Sequence, residues 1–108
     1  METKKIHHMT IKKLKREHLE LENKLNQITA HINDWLSLIS IKDRYCIDLF
    51  NTYYILDKNT DKEAIATSEL LEDDALRLNN AIALTGTMNR YYKRFKAVVR
   101  TLDEIGEL

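Results

Sequence analysis

The architecture hinges on DRYCIDLFNTYYILD, residues 43–57. Within it Tyr45, Cys46, Ile47, Leu49, Phe50, Tyr53, Tyr54, Ile55 and Leu56 would cover nearly every face of a helix. A helix that is apolar all round is a buried one. A strand usually runs about 4–8 residues, and this stretch is longer and uninterrupted. The expectation is a buried helix over residues 43–57.

Upstream, Ile11, Leu14, Leu21, Leu25, Ile28, Ile32, Trp35 and Ile39 recur at steps of three and four once His18 is counted among them. Such a heptad seam lets helices wrap around each other. It predicts a coiled-coil-like helix over about 11–40, with Thr10 as its cap. That helix would be roughly 45 Å long at 1.5 Å per residue, which overhangs a compact bundle. Either it breaks near Asn33-Asp34 or another chain covers its seam; packing on a hairpin partner of its own is the alternative. Leu14, His18, Leu21, Leu25, Ile28, Ile32 and Trp35 are therefore the candidate oligomer or partner interface.

Downstream, residues 57–63 read as a loop. Thr60 and Glu63 have capping-box spacing, which predicts a third helix over about 61–84. Its exposed face is acidic, and Asp73-Asp74 read as part of that solvated surface. Thr85-Gly86-Thr87 marks a break or bend, since Gly weakens a helix interior. Met88, Tyr91, Phe95, Val98, Leu102 and Ile105 then give a last amphipathic helix over about 87–105, ending at Gly106.

Composition agrees with helices. The chain has 108 residues, one domain's worth, with 44% hydrophobic and 31% charged. Two Gly and no Pro argue against β-rich architectures, whose turns use those residues, and against glycine-rich phosphate loops. The reading is a single all-α domain over residues 1–108, a helical bundle of three to four helices, with the order of residues 1–9 left open. One Cys excludes an internal disulfide and suits a reducing cytoplasm. No apolar run reaches about 18 residues, and the first residues are charged, so neither a membrane span nor a secretory signal is legible.

No catalytic, metal or cofactor site stands out, and no small-molecule substrate is expected. His7, His8, His18 and His31 lack ligand spacing. Cys46 has no histidine base nearby in sequence and reads as a small core residue. Tyr53-Tyr54 lacks the histidine cluster that DNA-nicking tyrosines use.

Net charge is zero, but the distribution is uneven. Lys4, Lys5, Lys12, Lys13, Lys15 and Arg16 form one basic block; Arg90, Lys93, Arg94, Lys96 and Arg100 form another, with an acidic middle between them. Such asymmetry points to electrostatic partners, of which phosphate backbones are the commonest. The candidate nucleic-acid contacts are Arg90, Lys93, Arg94, Lys96 and Arg100, then Lys12, Lys13, Lys15 and Arg16. No helix-turn-helix is legible.

Asp43, Ile47, Phe50 and Tyr54, at D-x-x-x-I-x-x-F-x-x-x-Y spacing after Leu38, resemble a segment of the phage terminase small subunit family. Met88-Asn-Arg-Tyr-Tyr-Lys-Arg-Phe, followed by Leu102-Asp-Glu-Ile-Gly-Glu-Leu, is similar to that family's closing helix. The resemblance covers about half the chain. It implies a non-enzymatic homo-oligomer, often a ring, that binds viral double-stranded DNA in the host cytoplasm and passes it to a packaging motor. A second expectation is a small helical protein-protein interaction module, such as a phage- or plasmid-encoded inhibitor, adaptor or antitoxin-like protein. Its seam and Trp35 would then meet a protein partner.

Overall fold

A computed structural model describes residues 8–108, with side chains from Thr10 onward. Two long helices, α1 (His8–Ser37) and α2 (Glu72–Glu104), flank an antiparallel sheet of β1 (Tyr45–Phe50), β2 (Thr52–Asp57) and β3 (Lys62–Glu63). The sheet order is β1-β2-β3. This corrects the all-α reading and the bundle of three to four helices. Lys4, Lys5 and His7 lie outside the described residues, as does the order of most of residues 1–9.

The expected helix over 43–57 is a β-hairpin. Two strands of six residues, each within the usual strand length, fold back on Asn51. Tyr45 faces Asp57, Ile47 faces Ile55 and Leu49 faces Tyr53. Tyr45, Ile47, Tyr53 and Ile55 join the core, while Cys46, Asp48 and Tyr54 alternate to the other face. Aromatic and β-branched residues suit this half-buried pleated surface. Cys46, expected in the core, is a half-buried free thiol on that outer face.

Scarce glycine did not exclude turns. Among the described residues, the non-glycine residues with positive φ are Asp43 (61°), Asn51 (64°) and Asp61 (57°). They sit before β1, between β1 and β2, and before β3. Asp and Asn tolerate this left-handed region better than other side chains do.

The expected helix over 61–84 begins later. Thr60 belongs to a turn, its N–H donating to the Asp57 carbonyl at 3.2 Å, and Glu63 pairs opposite Leu56 on β3. Residues 64–71 carry no regular element; there the Ala64 N–H donates to the Ile55 carbonyl at 2.8 Å. The helix starts at Glu72 without a side-chain cap, and Glu72, Asp73 and Asp74 in its first turn complement the positive end of the helix dipole.

No break occurs at residues 85–87, so α2 runs for 33 residues. The Gly86 penalty of about 1 kcal/mol is absorbed by packing on both sides of it. The Thr85 hydroxyl is buried and donates to the Ile82 carbonyl at 2.6 Å. The end is as expected: Gly106 takes φ 73°, and Glu107 N–H donates to the Leu102 carbonyl at 2.8 Å, a glycine-terminated helix stop.

Helix α1 starts at His8, which makes Thr10 an interior residue rather than a cap, and it does not break at Asn33-Asp34. Its seam is covered by α2 of the same chain, the intramolecular alternative. Leu25, Ile28 and Ile32 pack with Leu78, Ala81 and Met88 in the core that the sheet also covers. Leu21 packs with Val98 and Leu102 in a second cluster between the helices alone, with Leu14 and Phe95 at its margin. The antiparallel helices produce an elongated molecule of 62 × 21 × 17 Å. Its radius of gyration is 18.1 Å, against roughly 13 Å for a compact chain of this length. Among the described residues no helix is long and apolar enough to cross a membrane.

Candidate functional site

Antiparallel packing brings the two basic blocks together. Lys15 Nζ lies 2.8 Å from Glu107, and Arg94 meets Glu17 through two hydrogen bonds of 2.7 and 2.8 Å. The Arg94 guanidinium holds the Glu17 carboxyl below the usual glutamate range. Two candidate phosphate contacts are thus engaged within the chain. Lys96 reaches the Asn51 carbonyl at 3.4 Å and sits 4.6 Å over the Tyr92 ring, while Arg90 donates to the Thr87 hydroxyl at 3.2 Å. Lys12, Lys13, Arg16, Lys93 and Arg100 are exposed and make no hydrogen bond or ion pair with described residues.

The candidate interface residues turn inward. Leu21, Leu25, Ile28 and Ile32 are buried, Leu14 and Trp35 are half-buried against the two clusters, and the His18 ring lies 5.0 Å from Phe95. His18 therefore packs within the chain, and His31 is exposed. Among the described residues no group of His, Cys, Asp or Glu could hold a metal ion.

A different surface emerges at residues 38–76, here called the head. Lys42, Arg44, Lys58 and Lys62 are its only basic residues. The same stretch carries the acidic residues Asp43, Asp48, Asp57, Asp61, Glu63, Glu69, Glu72, Asp73 and Asp74. The zero total thus conceals a molecule with an acidic head and a basic coil. The head also exposes Leu38, Ile41, Leu49, Phe50, Ile65, Leu71 and Leu76; elsewhere only Leu19 and Leu108 do so among the described large apolar residues.

Two buried aspartates hold the head's connections. Asp57 accepts from Arg44 Nε and Nη2 at 3.1 and 3.0 Å and from the Asn59 N–H at 3.0 Å. Those donors, Arg44 foremost, hold its carboxyl below the ordinary aspartate value. Asp74 is not a solvated surface residue. It accepts from the Ser40 hydroxyl and from the Ser40 N–H at 3.0 Å, which ties the end of α1 to the start of α2 and lowers its pKa. Arg77 reinforces the joint by donating to the Leu38 carbonyl at 2.9 Å.

Asn89 fastens the sheet to α2. Its side-chain oxygen accepts the Tyr53 N–H at 2.7 Å and its amide donates to the Tyr53 carbonyl at 2.8 Å. A helix side chain thus pairs with the start of β2, which the short β3 does not reach. Tyr53 also meets Tyr92 edge-on, with ring centres 4.8 Å apart. Beside this junction, β2 and α2 enclose an open groove of about 450 Å³.

Comparison of the chain with protein-family models, with curated proteins and with solved structures gave no match.

Proposed function

We propose that the protein is a non-enzymatic interaction module that recognises a protein partner through its acidic head. The observation that carries this reading is the concentration of exposed apolar side chains on the head. Scattered surface apolar residues are ordinary, but a concentration of them rimmed by charge is the usual composition of a recognition patch. The coil acts as a rigid support for that patch, because its own seam is filled intramolecularly.

A second reading, double-stranded DNA binding at the coil, is favoured by the meeting of the two basic blocks. Self-association into a packaging-type ring would have to use surfaces other than the filled seam.

One experiment separates the two. Wild type, a head variant (Phe50→Ser, Ile65→Ser, Leu71→Ser) and a coil variant (Lys12→Glu, Arg16→Glu, Lys93→Glu, Arg100→Glu) are used to isolate stoichiometric partners from source cells. Each is also titrated with duplex DNA over a salt series. The head reading expects one identified protein retained by wild type and the coil variant and lost by the head variant. The opposite result is DNA binding lost only in the coil variant, with log K falling against log salt at a slope of about −4 to −5 for five phosphate contacts.

A further inference from the structure

We infer that the flank of α2 around Val99 pairs with the same flank of a second copy of the chain, antiparallel and two-fold symmetric. This goes beyond the head-binding reading and is independent of it, because every residue it uses lies on α2 outside the head.

The flank is a second helical stripe. Tyr92, Phe95, Lys96, Val99, Arg100 and Asp103 line one open, mostly apolar hollow of about 390 Å³. Their steps of three and four place them on a single face of the helix. The neighbouring stripe is already used: Val98 and Leu102 pack on Leu21 of α1. Phe95 lies at the margin of both core clusters, whereas Val99 belongs to neither. An apolar row beside a filled packing face is the pattern of a helix with a second helical neighbour.

Charge identifies that neighbour. Lys96 meets the neutral Asn51 carbonyl and the Tyr92 ring, and neither Lys96 nor Asp103 makes an ion pair among the described residues. The two are seven residues apart, roughly 10 Å along the axis, too far to neutralise each other. Asp103 and Glu104 also fall in the last turn of α2, which has no basic residue, and acids there oppose the negative end of the helix dipole. Both strains are relieved between copies. Lys96 stands three residues before Val99 and Asp103 four residues after it. A two-fold axis at Val99 therefore sets Val99 against Val99 of the second copy and Lys96 against its Asp103, twice over. Parallel pairing would instead oppose like charges at both positions. The zero net charge leaves no overall repulsion between copies.

The test is the solution mass of the full chain and its variants by sedimentation equilibrium, with helicity followed by circular dichroism. Wild type is expected to be a dimer. Val99→Lys, which sets two ammonium groups against each other, is expected to be a monomer of unchanged helicity. Lys96→Asp and Asp103→Lys each oppose like charges twice and are expected to weaken the dimer by at least about tenfold. The double variant Lys96→Asp/Asp103→Lys restores opposite charges, as does an equimolar mixture of the two single variants, and both are expected to recover wild-type affinity. The two positions cannot meet within one chain, so only pairing between copies gives that rescue. A monomeric wild type, a double variant no tighter than the single ones, or a dimer unaffected by Val99→Lys overturns the inference. The head reading stands under each of these results.

Discussion

Asp57 shows how one side chain organises the head. Its carboxylate joins the residue before β1 to the turn after β2, and its carbonyl accepts the N–H groups of Thr60 and Asp61. Because its folded pKa lies below the ordinary 3.8, its contribution is present above that value and is lost as pH falls through the folded one. Asp57→Asn is therefore expected to lower stability near neutral pH and to shrink the acid-side loss of stability below about pH 4. Denaturant titrations across pH 2–7 read both effects; an unaltered acid limb would show that Asp57 is not linked to folding. None of this was legible locally. Arg44 and Asp57 lie 13 residues apart, and Ser40 and Asp74 lie 34 apart. Asp74 in particular looked like one more member of an acidic surface, because its fixed partner sits on another element.

At the scale of elements, the legible parts were those with long-range period. The α1 seam and the last five turns of α2 follow steps of three and four, and Gly106 stops α2 as its position suggested. The hairpin was hidden because its two strands abut with a single intervening residue, so their apolar residues merged into one run. Asn51, at φ 64°, is the signal that could have divided that run. The same residue supplies a test. Asn51→Ile places a β-branched side chain in the left-handed region and is expected to cost about 1–2 kcal/mol, whereas Asn51→Gly should be tolerated. Thermal unfolding distinguishes these outcomes, and equal stability of the two variants would contradict the turn. The helix expected over 61–84 failed for a related reason: capping-box spacing at Thr60 and Glu63 occurs in a turn leading to β3, and eight irregular residues separate that strand from α2.

The whole molecule is a rod with unlike ends. Antiparallel helices convert a basic-acidic-basic order along the chain into a basic coil and an acidic, apolar head. The positions of the basic residues were readable; their pairing was not, since Glu17 with Arg94 and Lys15 with Glu107 arise only once α1 and α2 lie side by side. The head's exposed apolar residues were hidden for the same reason that the hairpin was. Phe50 read as core of a buried helix, yet it stands exposed at the tip of a sheet. That partners other than a second copy meet the head rather than the coil is tested by isolating stoichiometric partners from source cells with wild type, the head variant and the coil variant. One identified protein kept by wild type and by the coil variant, and lost by the head variant, is the expected result. Such a partner kept by the head variant and lost by the coil variant is the contrary one.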